Sequence, residues 1–96
     1  MTTPPRLLLL PGDGIGPEVI GQVRRVAAWM GEHAGLELEI VERPFGGTSF
    51  DLHGTPLTDE ARDLALASQA VLMGAVGGPQ WADVPRDKRP EMGLLN

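Results

Sequence analysis

Cysteine is absent from this 96-residue chain, lysine occurs once, and no apolar run approaches the length of a membrane span. Without cysteine there is no disulfide framework, no zinc site of the thiolate kind and no thiol nucleophile. The shortage of lysine belongs to an acidic balance, with Lys+Arg 8 against Asp+Glu 13 and a formal charge of −5. Arg86, Lys88 and Arg89 are offset by Asp83, Asp87 and Glu91, so no basic stripe is left for nucleic acid. Residues 7–10 are all leucine but halt at Pro11-Gly12, too short for a signal-peptide core and far short of the ~20 residues that cross a bilayer. These exclusions lead us to expect a cytoplasmic protein with neither a nucleic-acid nor a membrane partner.

The composition, 42% hydrophobic and 22% charged, is that of one globular unit near the lower end of what folds alone. Its 13 glycines and 9 prolines cluster between apolar segments, as turn punctuation does. The continuous apolar tract at residues 6–10 predicts a central strand buried on both faces. From Pro17, preset for a first helical turn, Val19, Val23, Val26, Ala27 and Met30 recur at helical spacing, and the helix should end within residues 31–35. Residues 36–42 alternate, with Leu36, Leu38 and Ile40 to one side and Glu37 and Glu39 to the other, which predicts a strand with one wet face. Residues 44–54 read as a loop. Thr58 is an N-cap ahead of a second helix whose apolar stripe is Leu57, Ala61, Leu64 and Ala65. Residues 70–76 predict a third buried strand. This order of strands and helices implies an α/β fold with a mainly parallel sheet and flanking helices.

In such sheets ligands gather at the carboxyl ends of the strands, where two loops qualify. The first, Pro11-Gly12-Asp13-Gly14-Ile15-Gly16-Pro17, begins like the dinucleotide fingerprint, but Pro17 stands where its third glycine belongs. The alternative is a tight strand-to-helix turn in which Asp13 bonds local backbone amides. The second runs from Gly77 to Pro90, longer than a routine connection and opened by paired glycines. Other residues have plain readings: His33 as a favourable charge at a helix end, His53 in a turn, Trp29 in the core, and Glu37, Glu39 and Glu42 on a solvated strand face.

Four stretches in one register resemble the β-decarboxylating dehydrogenases, the isocitrate/isopropylmalate dehydrogenase family. They are Leu10-Pro11-Gly12-Asp13-Gly14-Ile15-Gly16-Pro17-Glu18-Val19, Pro44-Phe45-Gly46-Gly47, Gly74-Ala75-Val76-Gly77-Gly78-Pro79-Gln80-Trp81 and Arg89-Pro90-Glu91-Met92-Gly93-Leu94-Leu95. The last two look like the isopropylmalate branch, although Gln80 stands where that branch usually carries lysine. The resemblance implies the non-Rossmann fold of that family, with residues 1–96 as an N-terminal fragment of its first, NAD-binding-side domain. It implies NAD-dependent oxidation of 3-isopropylmalate, then metal-assisted decarboxylation to 4-methyl-2-oxopentanoate in leucine biosynthesis.

By the same resemblance, Ile15 and the stretch Gly78-Pro79-Gln80-Trp81-Ala82-Asp83-Val84-Pro85-Arg86-Asp87-Lys88-Arg89-Pro90-Glu91 face NAD, and Glu91, Leu94 and Leu95 meet the substrate's isopropyl group. An isopropyl group suits such a branched aliphatic surface. The family's arginine clamp, its catalytic tyrosine and lysine, and its aspartate ligands for Mg²⁺ or Mn²⁺ match positions beyond Asn96, so no catalytic or metal residue is expected within this chain. The expected partners are a small-molecule substrate and, for the complete enzyme, a second copy in a homodimer. The fragment alone is expected to be inactive. Two alternatives remain open: a sister enzyme acting on isocitrate, homoisocitrate or tartrate, and a non-catalytic interaction unit.

Overall fold

Leu8 and Leu9 are fully buried and Leu10 nearly so, because their strand lies in the middle of the sheet. The computed structural model describes residues 4–86 and 89. Its elements are β1 (Arg6–Gly12), α1 (Gly16–His33), β2 (Glu39–Glu42), α2 (Gly47–His53), α3 (Asp59–Ala67) and β3 (Ala70–Ala75), followed by a short 3-10 turn, Pro79–Trp81. The strand order is β2-β1-β3 and both pairings are parallel, with Leu8 opposite Val41 on one side and Val71 on the other. Successive side chains of a strand point to opposite faces. Leu8 and Leu10 meet Phe45 on one face, where Val41, Leu57, Leu64, Ala65, Met73 and Val76 close the cluster. Leu9 and the fully buried Ile20 of α1 lie on the other.

β2 is shorter than the alternation at residues 36–42 predicts. Its ladder begins where Arg6 faces Glu39, and the residues that precede Arg6 are prolines, which have no amide to donate. The amide of Glu39 still reaches the carbonyl of Pro5 at 2.9 Å. Its acids are not simply solvated on one face: Glu39 pairs with Arg6, and Glu42, which points to the opposite face, pairs with Arg24 of α1.

α1 begins at Gly16 with Pro17 in its first turn and Glu18 at its positive end. It ends as expected: Ala34 and Leu36 both donate to the carbonyl of Met30, at 2.9 and 3.2 Å, while Gly35 takes φ +68°. The inward stripe is not the expected one. Gly16 and Ile20 are buried and Val23, Ala27 and Met30 partly so, whereas Val19 and Val26 stay exposed. Trp29, expected in the core, is 59% exposed and stacks on His33 with ring centroids 5.0 Å apart.

Two further expectations are corrected. Residues 47–53 form α2 rather than loop, because Gly46 at φ +74° and Gly54 at φ +75° supply both ends; His53 lies in its last turn, not in a turn of its own. β3 is an edge strand, not a strand buried on both faces: Ala70, Val71 and Leu72 are exposed, because β1 is its one partner among the described residues. α3 is as expected, with the Thr58 hydroxyl accepting from the amide of Ala61 at 3.1 Å.

Candidate functional site

The carboxyl ends of the three strands are drawn together backbone against backbone. A Cβ at Gly12 would lie 1.8 Å from the carbonyl oxygen of Ala75, and one at Gly16 would lie 1.8 Å from that of Pro11. The amide of Asp13 donates to the Ala75 carbonyl at 2.9 Å. This closes the crevice between β1 and β3, where the chain reverses its direction of winding and an open α/β sheet would place a dinucleotide. Gly12 and Gly16 therefore serve close packing rather than a phosphate cradle, and Gly14, at φ +57°, serves the turn itself.

Of the two readings of that loop, the tight turn is the one present, with a correction to the role of Asp13. Its side chain bonds no amide of its own turn. The buried carboxylate accepts from the amides of Gly47 and Gly77 through Oδ2, both at 2.8 Å. Through Oδ1 it accepts from the Thr48 amide at 2.7 Å and the Thr48 hydroxyl at 2.9 Å. One side chain thus joins the loop after β1, the start of α2 and the loop after β3. Thr48 is a member of this cluster that sequence reasoning did not single out; the neighbouring Pro44-Phe45-Gly46-Gly47 motif was its signal.

The loop after β3 returns onto α2. Trp81 is buried, 6% exposed, and donates from Nε1 to Asp51 Oδ1 at 3.2 Å. Its indole occupies the space beside Gly47. Beyond this anchor, Pro79, Gln80, Ala82, Asp83, Pro85 and Arg86 are exposed. Val84 is half-buried and its carbonyl accepts from Arg89 Nε at 3.1 Å. Ile15 is 67% exposed at the start of α1. The bonded pair Asp13 and Gly77 stands two residues before Ile15 and one residue before Gly78. Asp87, Lys88, Pro90, Glu91, Leu94 and Leu95 lie outside the described residues.

A cavity of about 290 Å³ opens beside this cluster between Pro11, Pro17, Pro44 and Thr48. The charged groups at its rim are already matched, Glu42 with Arg24 and Arg43 with Glu60. The larger cavity, about 580 Å³, lies between α1 and β2 among Ala27, Leu36, Leu38 and Ile40, away from the joined loops. Among the described residues no group of three His, Cys, Asp or Glu is placed to hold a metal ion. Of the residues expected to face a dinucleotide, Ile15 presents an exposed aliphatic side chain and the exposed loop carries the Arg86 cation, groups of the kind that meet a ring face and a phosphate. No helix of the described chain is long and apolar enough to cross a membrane.

Comparison with known proteins gives consistent matches. The sequence profile of the family described as isocitrate/isopropylmalate dehydrogenase matches residues 6–96. A 3-isopropylmalate dehydrogenase of Caulobacter vibrioides is 68% identical over 90 residues, covering 94% of this chain and 25% of that protein. One from Paramagnetospirillum magneticum is 58% identical, with 94% and 24% covered. The crystal structure of a β-decarboxylating dehydrogenase from Thermococcus kodakarensis, in its apo form, superposes with a TM-score of 0.68 at 33% identity, covering 84% of this chain and 23% of that one. The chain spans about a quarter of the length of the curated relatives it matches.

Proposed function

Because the chain belongs to the isocitrate/isopropylmalate dehydrogenase family, we propose that it forms the N-terminal portion of an NAD-dependent dehydrogenase that decarboxylates 3-isopropylmalate in leucine biosynthesis. The observation that carries this reading is the 68% identity to the Caulobacter vibrioides 3-isopropylmalate dehydrogenase. Bound NAD would supply the acceptor for the hydride of the hydroxyl-bearing carbon as the hydroxyl proton is lost; departure of the β-carboxylate as carbon dioxide would leave an enolate that takes up a proton to give 4-methyl-2-oxopentanoate. The residues of this chain bind and orient. Ile15 offers an apolar face to the adenine end, the loop from Gly78 to Glu91 follows the dinucleotide, and Leu94 and Leu95 receive the isopropyl group beside Glu91. In this reading Mg²⁺ or Mn²⁺ is held by residues beyond Asn96, and the complete enzyme is a cytoplasmic homodimer.

A sister substrate such as isocitrate is the second reading, because the Gly12-Asp13-Gly14 turn is common to the whole family and does not separate its members. Grafting residues 1–96 in place of the matching segment of the Caulobacter vibrioides relative separates the two. NADH production with 3-isopropylmalate, and little with isocitrate, homoisocitrate or tartrate, is the expected result. Preference for one of those other acids would overturn the isopropylmalate assignment.

A further inference from the structure

We propose that Asp13 is the positioning residue of the 77–86 loop, fixing where that loop stands relative to Ile15. The functional weight of this rests on the reading of the loop as dinucleotide-facing; the physical argument does not. An aspartate in a turn ordinarily bonds amides of its own turn. Here the turn is closed by the backbone instead, the amide of Gly16 donating to the Asp13 carbonyl at 2.8 Å. The side chain is left to other loops. Its two oxygens accept from three backbone amides, those of Gly47, Thr48 and Gly77, and the Thr48 hydroxyl divides its one proton between Oδ1 at 2.9 Å and the Gly12 carbonyl at 3.1 Å.

The surroundings are shaped to that arrangement. A Cβ at Gly46 would lie 2.5 Å from Asp13 Oδ2, so the loop after β2 approaches the carboxylate only because glycine stands there, at φ +74°. Backbone and side chain of Asp13 grip the end of β3 at two successive points, the Ala75 carbonyl at 2.9 Å and the Gly77 amide at 2.8 Å. Farther along, Trp81 is held by Asp51 and by its seat beside Gly47. Both anchors of the loop converge on α2: Asp13 bonds Gly47 and Thr48, while Trp81 sits beside Gly47 and bonds Asp51. A carboxylate that only stabilised the sheet would have no need to hold a loop beyond it.

The test removes one donor without touching the side chain. In the complete enzyme carrying residues 1–96 in place of the matching segment of the Caulobacter vibrioides relative, assembled by ligation, glycolic acid replaces Gly77, so that an ester oxygen stands where the amide was. Asp13→Asn is a second variant, which turns an amide group toward the two donors that Oδ2 now accepts from. Hydrogen exchange of the Trp81 indole N–H reports opening of the loop, and the amides of Leu8 and Met73 report the sheet. The expected result is roughly tenfold faster exchange at Trp81, the size of one lost charge-assisted hydrogen bond, with the sheet amides unchanged. Unchanged exchange at Trp81 in the ester would overturn the proposal. So would equal acceleration at Leu8 and Met73, which would make Asp13 part of the core. No nucleotide enters the measurement, so its failure is not a failure of the dinucleotide assignment.

Discussion

Trp81 fills the space that any side chain at Gly47 would need: a Cβ built on that glycine would meet indole Cε2 at 2.0 Å. The backbone of Gly47 is not in the left-handed region, so the constraint is the tryptophan alone. Gly47→Ala should therefore destabilise by about 3 kcal/mol, the upper end for an overpacked core, and expose Trp81. Gly14→Ala is the comparison, since its φ is +57° but no atom lies within 4 Å of the added carbon. It should cost about 1–2 kcal/mol in backbone strain and leave Trp81 emission unshifted. Denaturant melts followed by fluorescence check both.

Among the described residues β3 presents 70–75 at an open edge with no charge and no proline, and Val71 and Leu72 are about 40% exposed. The isolated chain should self-associate at micromolar concentration and melt over a shallow transition. Leu72→Lys should reduce the association, because a charge at an edge opposes strand-to-strand addition. Sedimentation of the two proteins decides, and a sharply melting monomer for the unsubstituted chain would contradict the expectation.

Purified alone with 3-isopropylmalate, NAD and Mn²⁺, the chain should give no NADH above a heat-treated control. On the proposed reading the arginine clamp, the acid–base pair and the metal ligands would come from positions beyond Asn96, and a dehydrogenation needs all of them in one place. Absorbance in the NADH band is the measurement.

In the grafted enzyme, replacing Leu94 and Leu95 by polar residues should lower kcat/KM for 3-isopropylmalate far more than for malate, which lacks the branched group. A lost aliphatic contact of this size is worth about 10–200-fold in discrimination. Glu91→Gln should instead disturb the NAD and substrate parameters together. Equal slowing of both substrates by the leucine changes would identify those residues as packing.

The parts of the fold legible in the sequence are those with local causes. Residues 7–10 announce a buried strand, Thr58 caps α3, and the glycine after Ala34 ends α1. α2 was hidden because Gly-Gly-Thr-Ser reads as turn chemistry, although the two glycines that suggest a turn are the ones that bound the helix start. On α1 a continuous series of valines drew attention away from Ile20, and only the placement of β1 and β3 decides which flank faces inward. The glycine turn was legible as a turn and its mismatch with the dinucleotide fingerprint was correctly significant. What could not be read was the destination of the Asp13 carboxylate, whose partners are 34 to 64 residues away. Such pairing depends on strand order, which local spacing does not encode.

The distance between Asp13 and Gly77 also bears on how the protein is made. During synthesis Asp13 emerges early, and one of its donors arrives 64 residues later. Closing so long a chain segment is entropically slow, and β1 must wait for β3 before its far side is paired. The nascent chain can form α1 and set it against β1, but its carboxyl-end loops stay unlocked until Gly77 has left the ribosome. Pausing of translation shortly before that codon would therefore hold the chain with a solvated aspartate where a buried one belongs.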